Sequence, residues 1–186
     1  MTLKDLEIIL LSEEPSKQII ANEKDIFLLI PELEKCKGFE QNNDWHIYDV
    51  YNHILHVVDG VSPNLLLRYA ALFHDVGKPL CYQEDENGIG HFYGHYAVSQ
   101  KIFDDFALKH NIDEKDRETI SKLIYYHDYN IDKLSNQIIE IFNLEELDLL
   151  YELKYADLYA HSQKKHSLAS EYEKQKVKIK SYYKEG

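Results

Sequence analysis

The period of its apolar residues constrains this chain more than any other feature. Ile47, Val50, Tyr51, Ile54, Leu55 and Val58 recur at i, i+3, i+4, i+7, i+8 and i+11, one apolar stripe at the helical period. No stretch sustains the apolar–polar alternation of a half-buried strand. Glycines and prolines number only seven and four, and Gly60, Gly77, Gly88, Gly90 and Gly94 fall in one interval. The expected fold class is therefore all-α, without strands.

The same periodicity places the helices. A first helical region lies within residues 3–35, broken near Pro15 and Pro31. A second helix follows Asp44, read as its N-cap. Leu65 to Phe73 is apolar nearly all round and so belongs at the centre. The stretch "GKPLCYQEDENGIGHFYGH" is a loop of turn formers. Ala97–Lys109 and Asp113–Tyr126 are the fourth and fifth helices, with Asp113 and Asp116 near the positive end of the fifth. A short helix is expected over Leu134–Phe142, and a last one from about Glu145 toward the C-terminus.

A net charge of −12 disfavours nonspecific nucleic-acid binding, which needs Lys and Arg against phosphates. Residues 162–186 carry a local excess of Lys, read as a solvated face. Cys36 and Cys81 have neither disulfide nor zinc-thiolate spacing. No segment has the length and purity of a transmembrane helix, and the N-terminus lacks a signal-peptide pattern. A cytoplasmic protein without a membrane partner is expected.

The chemistry begins where the apolar helix ends, in His74-Asp75. A carboxylate beside a core is costly unless it is paired, hydrogen-bonded or bound to a cation. Asp157 falls between Leu150 and Leu153 on a helical wheel, inside the apolar sector; either Lys154 pairs with it or it has another cation. His53 lies on a flank with His46, Asp49 and His56, which is an exposed polar face or the wall of a metal pocket. His95 opens the fourth helix after the Gly-rich loop, and His127 ends the fifth. Together His53, His74, Asp75, His95, His127 and Asp157 form the imidazole–carboxylate ligand set suited to Fe, Mn, Ni, Co or Zn. Six ligands can hold two ions, with Asp75 as the natural bridge.

Four segments carry a resemblance: "HIYDVYNHILHVVDGVSPNLLLRYAALFHDVGKP", "HFYGHYAVSQKIF", "LIYYHD" and "LKYADLYAH". In this order they resemble the HD-domain superfamily of metal-dependent phosphohydrolases. The likeness is greatest to the HD domain of bacterial CCA-adding tRNA nucleotidyltransferases and its free-standing relatives. The sequence departs from the family pattern at Ile54, where Thr or Ser is common, and at Tyr96, where Glu is common. No Gly-Gly-x-Arg with paired acidic residues is present.

The resemblance implies an HD-type helical bundle with the metal site between central helices. Residues 44–162 would be the HD domain, 1–43 a helical segment packed on it, and 163–186 a charged helix or tail, all in one structural domain. One or two divalent transition-metal ions would be the cofactors, bound by the six residues above. A metal-activated water would hydrolyse a phosphomonoester or phosphodiester, a nucleotide or related small phosphate ester. Asp75 and Lys78 would be catalytic, with Lys78 also binding the substrate phosphate. Asp128 would be a partner of His127 or a proton acceptor. The loop from Pro79 to Gly94 would act as a lid, its aromatic residues stacking on a base. Two other readings share the ligand set: a silent nucleotide-binding regulatory domain and a di-iron oxygenase.

Overall fold

The computed structural model describes residues 1–131, 133 and 137–184. Thr2 caps α1 (Leu3–Leu10) in a capping box with Asp5. The two early prolines start helices: Pro15 is the first residue of α2 (Pro15–Ala21) and Pro31 of α4 (Pro31–Cys36), where a missing N–H costs nothing. Asn22 separates α2 from α3 (Glu23–Leu29).

The second predicted helix starts later than expected. α5 spans Val50–Gly60, and its cap is Asp49, which accepts from Asn52 N at 2.7 Å. Asp44 instead pairs with Lys164 at 3.0 Å and accepts from Ser162 Oγ at 3.1 Å. Residues 41–49 are thus tied to a distant segment and cannot wind into helix. Ile47, though in register with the stripe, is 60% exposed. From Val50 on the stripe is buried, as are Val57 and His53.

α6 (Leu65–Phe73) is the central helix, capped by Asn64 and packed against α1, α5, α8, α9 and α11. Every residue from Leu67 to Phe73 is buried. Even Arg68 lies inside, its Nε donating to Ser62 O at 3.0 Å. Each aliphatic side chain in this cluster contributes about 1.5–3 kcal/mol by leaving water.

After α6 the chain makes a tight turn into α7 (Lys78–Cys81) and then forms strands, contrary to expectation. β1 (Gln83–Glu84) and β2 (Gly90–His91) pair antiparallel, Gln83 opposite His91 and Glu84 opposite Gly90. Two-residue strands are too short to show alternation. The ribbon packs tightly on the loop before α5, where a Cβ on Gly90 would lie 2.6 Å from Gln41 O.

α8 runs His95–Lys109 after Gly94 at φ +77, and α9 Glu114–Tyr126 after the Asp113 cap. α10 covers Ile138–Ile141; Leu134, the expected start of this helix, lies outside the described residues. α11 (Leu144–Tyr159) opens with a capping box of Asn143 and Glu146. It does not continue to the C-terminus. The chain turns after Tyr159, passes through a 3-10 turn (Lys165–Leu168) and packs α12 (Ala169–Tyr182) back on α11. Lys176 and Lys180 reach Asp148 at 3.0 and 2.7 Å, and Ile179 is buried. No helix among the described residues is long and apolar enough to cross a membrane.

Candidate metal centre

Five segments bring the predicted residues together. His53 comes from the middle of α5. His74 and Asp75 follow the last turn of α6, His95 begins α8, His127 follows α9, and Asp157 lies near the end of α11. All six are buried. Gly77 permits the meeting, since a Cβ there would lie 2.8 Å from His95 O and from Ser99 N. The turn after Asp75 therefore rests directly on the first turn of α8, and Gly77 N donates to Ser99 Oγ at 2.9 Å.

The six form two groups that share Asp75: His53, His74, Asp75 and Asp157, and Asp75, His95 and His127. In the first group His53 Nε2 is 2.9 Å from Asp157 Oδ1, 3.4 Å from His74 Nε2 and 3.4 Å from Asp75 Oδ2. In the second, Asp75 Oδ1 is 3.2 Å from His95 Nε2 and 3.6 Å from His127 Nε2, which are 3.3 Å apart. One carboxylate thus turns a different oxygen to each group.

The histidine tautomers follow from their outer contacts. Nδ1 of His74, His95 and His127 donates to the carbonyls of Ala71, Phe92 and Ile124 at 2.7, 2.8 and 2.7 Å. A carbonyl only accepts, so the proton sits on Nδ1 and Nε2 presents a lone pair to the centre. Lone pairs of His95 and His127 face each other and a carboxylate oxygen. Both Asp75 oxygens are buried without a directional hydrogen bond. Oδ2 has the Lys78 ammonium at 2.7 Å, but around Oδ1 the convergence of electron pairs with His95 and His127 is unfavourable unless a cation lies among them. The donor set, imidazole and carboxylate without thiolate, fits divalent transition metals.

Burial alone would raise the Asp75 carboxyl, but the Lys78 ammonium beside it holds it well below the usual carboxylate range. Burial likewise opposes ionisation of Asp157, and His161, His53 and Lys165 overcome it. Burial pushes His53 down to about 4. His127 is also lowered, again by burial first. At His74 burial also opposes the charge, but Asp75 and Asp157 overcome it and raise the imidazole. The site therefore holds its carboxylates as anions and favours neutral His53 and His127, as metal ligation requires.

Lys78, expected to meet a substrate phosphate, is held inside the site. Its ammonium is buried, 2.7 Å from Asp75 Oδ2, 2.8 Å from Gln41 Oε1 and 3.3 Å from His46 Nε2. Lys154 does not pair with Asp157. It donates to His127 O and Tyr129 O at 2.6 and 3.0 Å, closing the carbonyl end of α9. Asp128 is exposed and lines the same cavity as the cluster. The predicted flank on α5 splits: His53 is in the centre, whereas exposed His56 stacks on Tyr48 at 4.2 Å.

Several side chains at the site were not anticipated. His161 Nδ1 donates to Asp157 O at 2.6 Å, and its Nε2 lies 3.0 Å from His46 Nε2 and 2.8 Å from Lys165 Nζ. His161 stands four residues after Asp157, one helical turn, and that spacing was the available signal. Gln41 and Lys165 had none, because long-range packing alone brings them in. A cavity of about 350 Å³ opens over the cluster, and its lining includes His46, Asp75, Lys78, His95, His127 and Asp157.

Among curated proteins, an A-adding tRNA nucleotidyltransferase of Deinococcus radiodurans is 32% identical over 106 residues, 54% of this chain. The match covers 24% of that relative, so the chain spans about a quarter of its length. The family model of the HD domain matches residues 44–162.

Proposed function

The chain belongs to the HD-domain family, and from that premise we propose that it is a metal-dependent phosphohydrolase acting on a small phosphate ester, a nucleotide or a related mono- or diester. The observation that carries this reading is Asp75, whose two oxygens face two separate groups of ligand atoms. His53, His74 and Asp157 would complete one ion's ligands, and His95 and His127 the other's. Divalent ions held there would supply an activated water and the positive charge that an in-line displacement at phosphorus requires.

The protein's own groups do the rest. Lys78 is held beside Asp75 by Gln41 and His46, so a phosphoryl oxygen arriving there meets an oriented positive charge. Phe92 packs under that ammonium at 5.3 Å and keeps bulk water from it. His74, His95 and His127 need no reorientation, since carbonyls already fix their rings. Asp128, exposed at the cavity wall, is placed to exchange a proton with solvent.

The test is metal analysis of the purified protein together with phosphate release from a panel of nucleotide mono- and diesters. Turnover that follows metal loading is the expected result. No turnover of any ester with Fe, Mn, Co, Ni or Zn would overturn the reading. Nucleotide binding without turnover would then favour a regulatory domain, and a mixed-valent iron spectrum an oxygenase.

A further inference from the structure

We infer that the outer part of the cavity is a nucleotide-recognition subsite, in which Trp45 and Tyr93 hold a planar base and Lys165 holds a phosphate other than the one cleaved. This rests on the phosphohydrolase reading for the cleaved phosphate only.

Three large apolar side chains that the fold leaves exposed line this one cavity: Trp45 (50% exposed), Ile89 and Tyr93 (70% exposed). The exposure of Trp45 is built in. Its backbone N–H donates to Asn43 Oδ1 at 3.2 Å, and its carbonyl accepts from Ser162 N at 2.8 Å. Tyr93 already forms half of an aromatic platform. Its ring stacks on His91 with centroids 5.2 Å apart and planes 6° off parallel, and His91 is braced by Asp85 at 3.2 Å. Exposed apolar surface in a concave, partly polar site marks ligand contact. Flat aromatic surface selects a flat ligand.

The charge is as specific as the surface. Lys165 also lines the cavity, and its ammonium lies 2.8 Å from His161 Nε2. Among the described residues no carboxylate lies within ion-pair distance of it, whereas Lys78, the other lysine of the cavity lining, lies 2.7 Å from Asp75. In a protein of net charge −12, a cavity-wall cation with no carboxylate in contact suits an anion from outside. Lys165 is also set apart from Asp75. The contacts between them run through His161, His46 and Lys78, at 2.8, 3.0, 3.3 and 2.7 Å. The cavity wall thus carries two separate cations, Lys78 beside Asp75 and Lys165 beside His161, and offers a place for two phosphates. A planar ring, a phosphate for Lys165 and another for Asp75 describe a nucleoside bearing more than one phosphate.

Trp45 is the only tryptophan in the chain, so intrinsic indole fluorescence reports this subsite alone. The full-length protein is titrated with ADP, UDP and inorganic pyrophosphate, followed by Trp fluorescence and calorimetry. ADP and UDP are expected to change the emission saturably and to bind at least about tenfold more tightly than pyrophosphate, the scale of base–aromatic stacking. Trp45→Leu and Tyr93→Ala should bring nucleotide affinity toward that of pyrophosphate. Lys165→Ala should weaken nucleotide and pyrophosphate alike. Unchanged melting curves check that these exposed substitutions leave the fold intact. Nucleotides that bind no tighter than pyrophosphate, or that bind equally well to Trp45→Leu and Tyr93→Ala, would overturn the subsite. Ester turnover without nucleotide preference would do the same while leaving hydrolysis standing. Tight nucleotide binding without turnover would sink hydrolysis and support the subsite.

Discussion

Asp75 concentrates the physics of the site in one side chain. Its carboxylate is buried, ionised and without a directional hydrogen bond, and its two oxygens serve opposite directions. Asp75→Asn keeps the shape and removes the charge. It should lower metal content in both groups and cut turnover by about 10²-fold or more. His95→Ala, by contrast, touches only one group and should remove about one ion while His53, His74 and Asp157 keep the other. Elemental analysis of the two variants beside the wild type checks this. Full occupancy in Asp75→Asn would refute the shared-ligand role. Lys78 deepens the point, because its ammonium has three partners and its charge belongs first to Asp75.

At the scale of elements, the site depends on how closely helix ends approach. Gly77→Ala would drive a methyl group into the first turn of α8. A loss of about 1–3 kcal/mol is expected in denaturant unfolding, with the ion held by His95 and His127 lost before the other. A second joint holds α9 to α11. Glu146 caps α11 and accepts from Lys122 at 2.6 Å and Thr119 at 3.1 Å. Burial opposes its charge, but Lys122, the Asn143 N–H and Thr119 hold its carboxyl below the usual range. A depressed folded pKa stabilises fully above the unfolded value and is lost as pH falls through the folded one. Glu146→Gln should therefore cost about 1–2 kcal/mol at neutral pH. The gap should begin to narrow as pH falls past the unfolded Glu value of about 4.3 and close only below the depressed folded value, as melting curves across pH would show.

The elements also show what the sequence could disclose. α6 and the extent of α9 were legible, because a nearly all-apolar segment and acidic residues at a helix start are local signals, though Asp113 proves to be the cap and not the first residue of α9. The start of α5 was not, because Asp44 looks like a cap until Ser162 and Lys164 claim it. The ligand-type residues announced themselves as charges out of place in apolar segments. Lys154 was read as a rival partner for Asp157, and only the packing of α9 against α11 turns it to the carbonyls beyond Tyr126. Gln41 and Lys165 stand far from the cluster in sequence and carry no local pattern, so contact alone reveals them.

For the whole molecule, ions would act as a clamp on five segments. A ligand that binds only the folded state at 100 times its Kd adds about 2.7 kcal/mol. For a chain of this size that corresponds to a Tm rise of roughly 5–10 °C. Removing metal with a chelator and restoring it should move Tm down and up by that order, and Asp75→Asn should blunt the response. A thermal scan that ignores metal in the wild type would count against any ion at the cluster.

The rings of His74, His95 and His127 are each aimed by a carbonyl three residues earlier on the same turn. Each donor thus takes its direction from the segment that carries it and not from its neighbours in the cluster. Once the helices have docked, little remains to be arranged when an ion arrives. The rate at which the centre fills should then be set by how fast the ion sheds its own water, and the order of filling by the metal rather than by the protein.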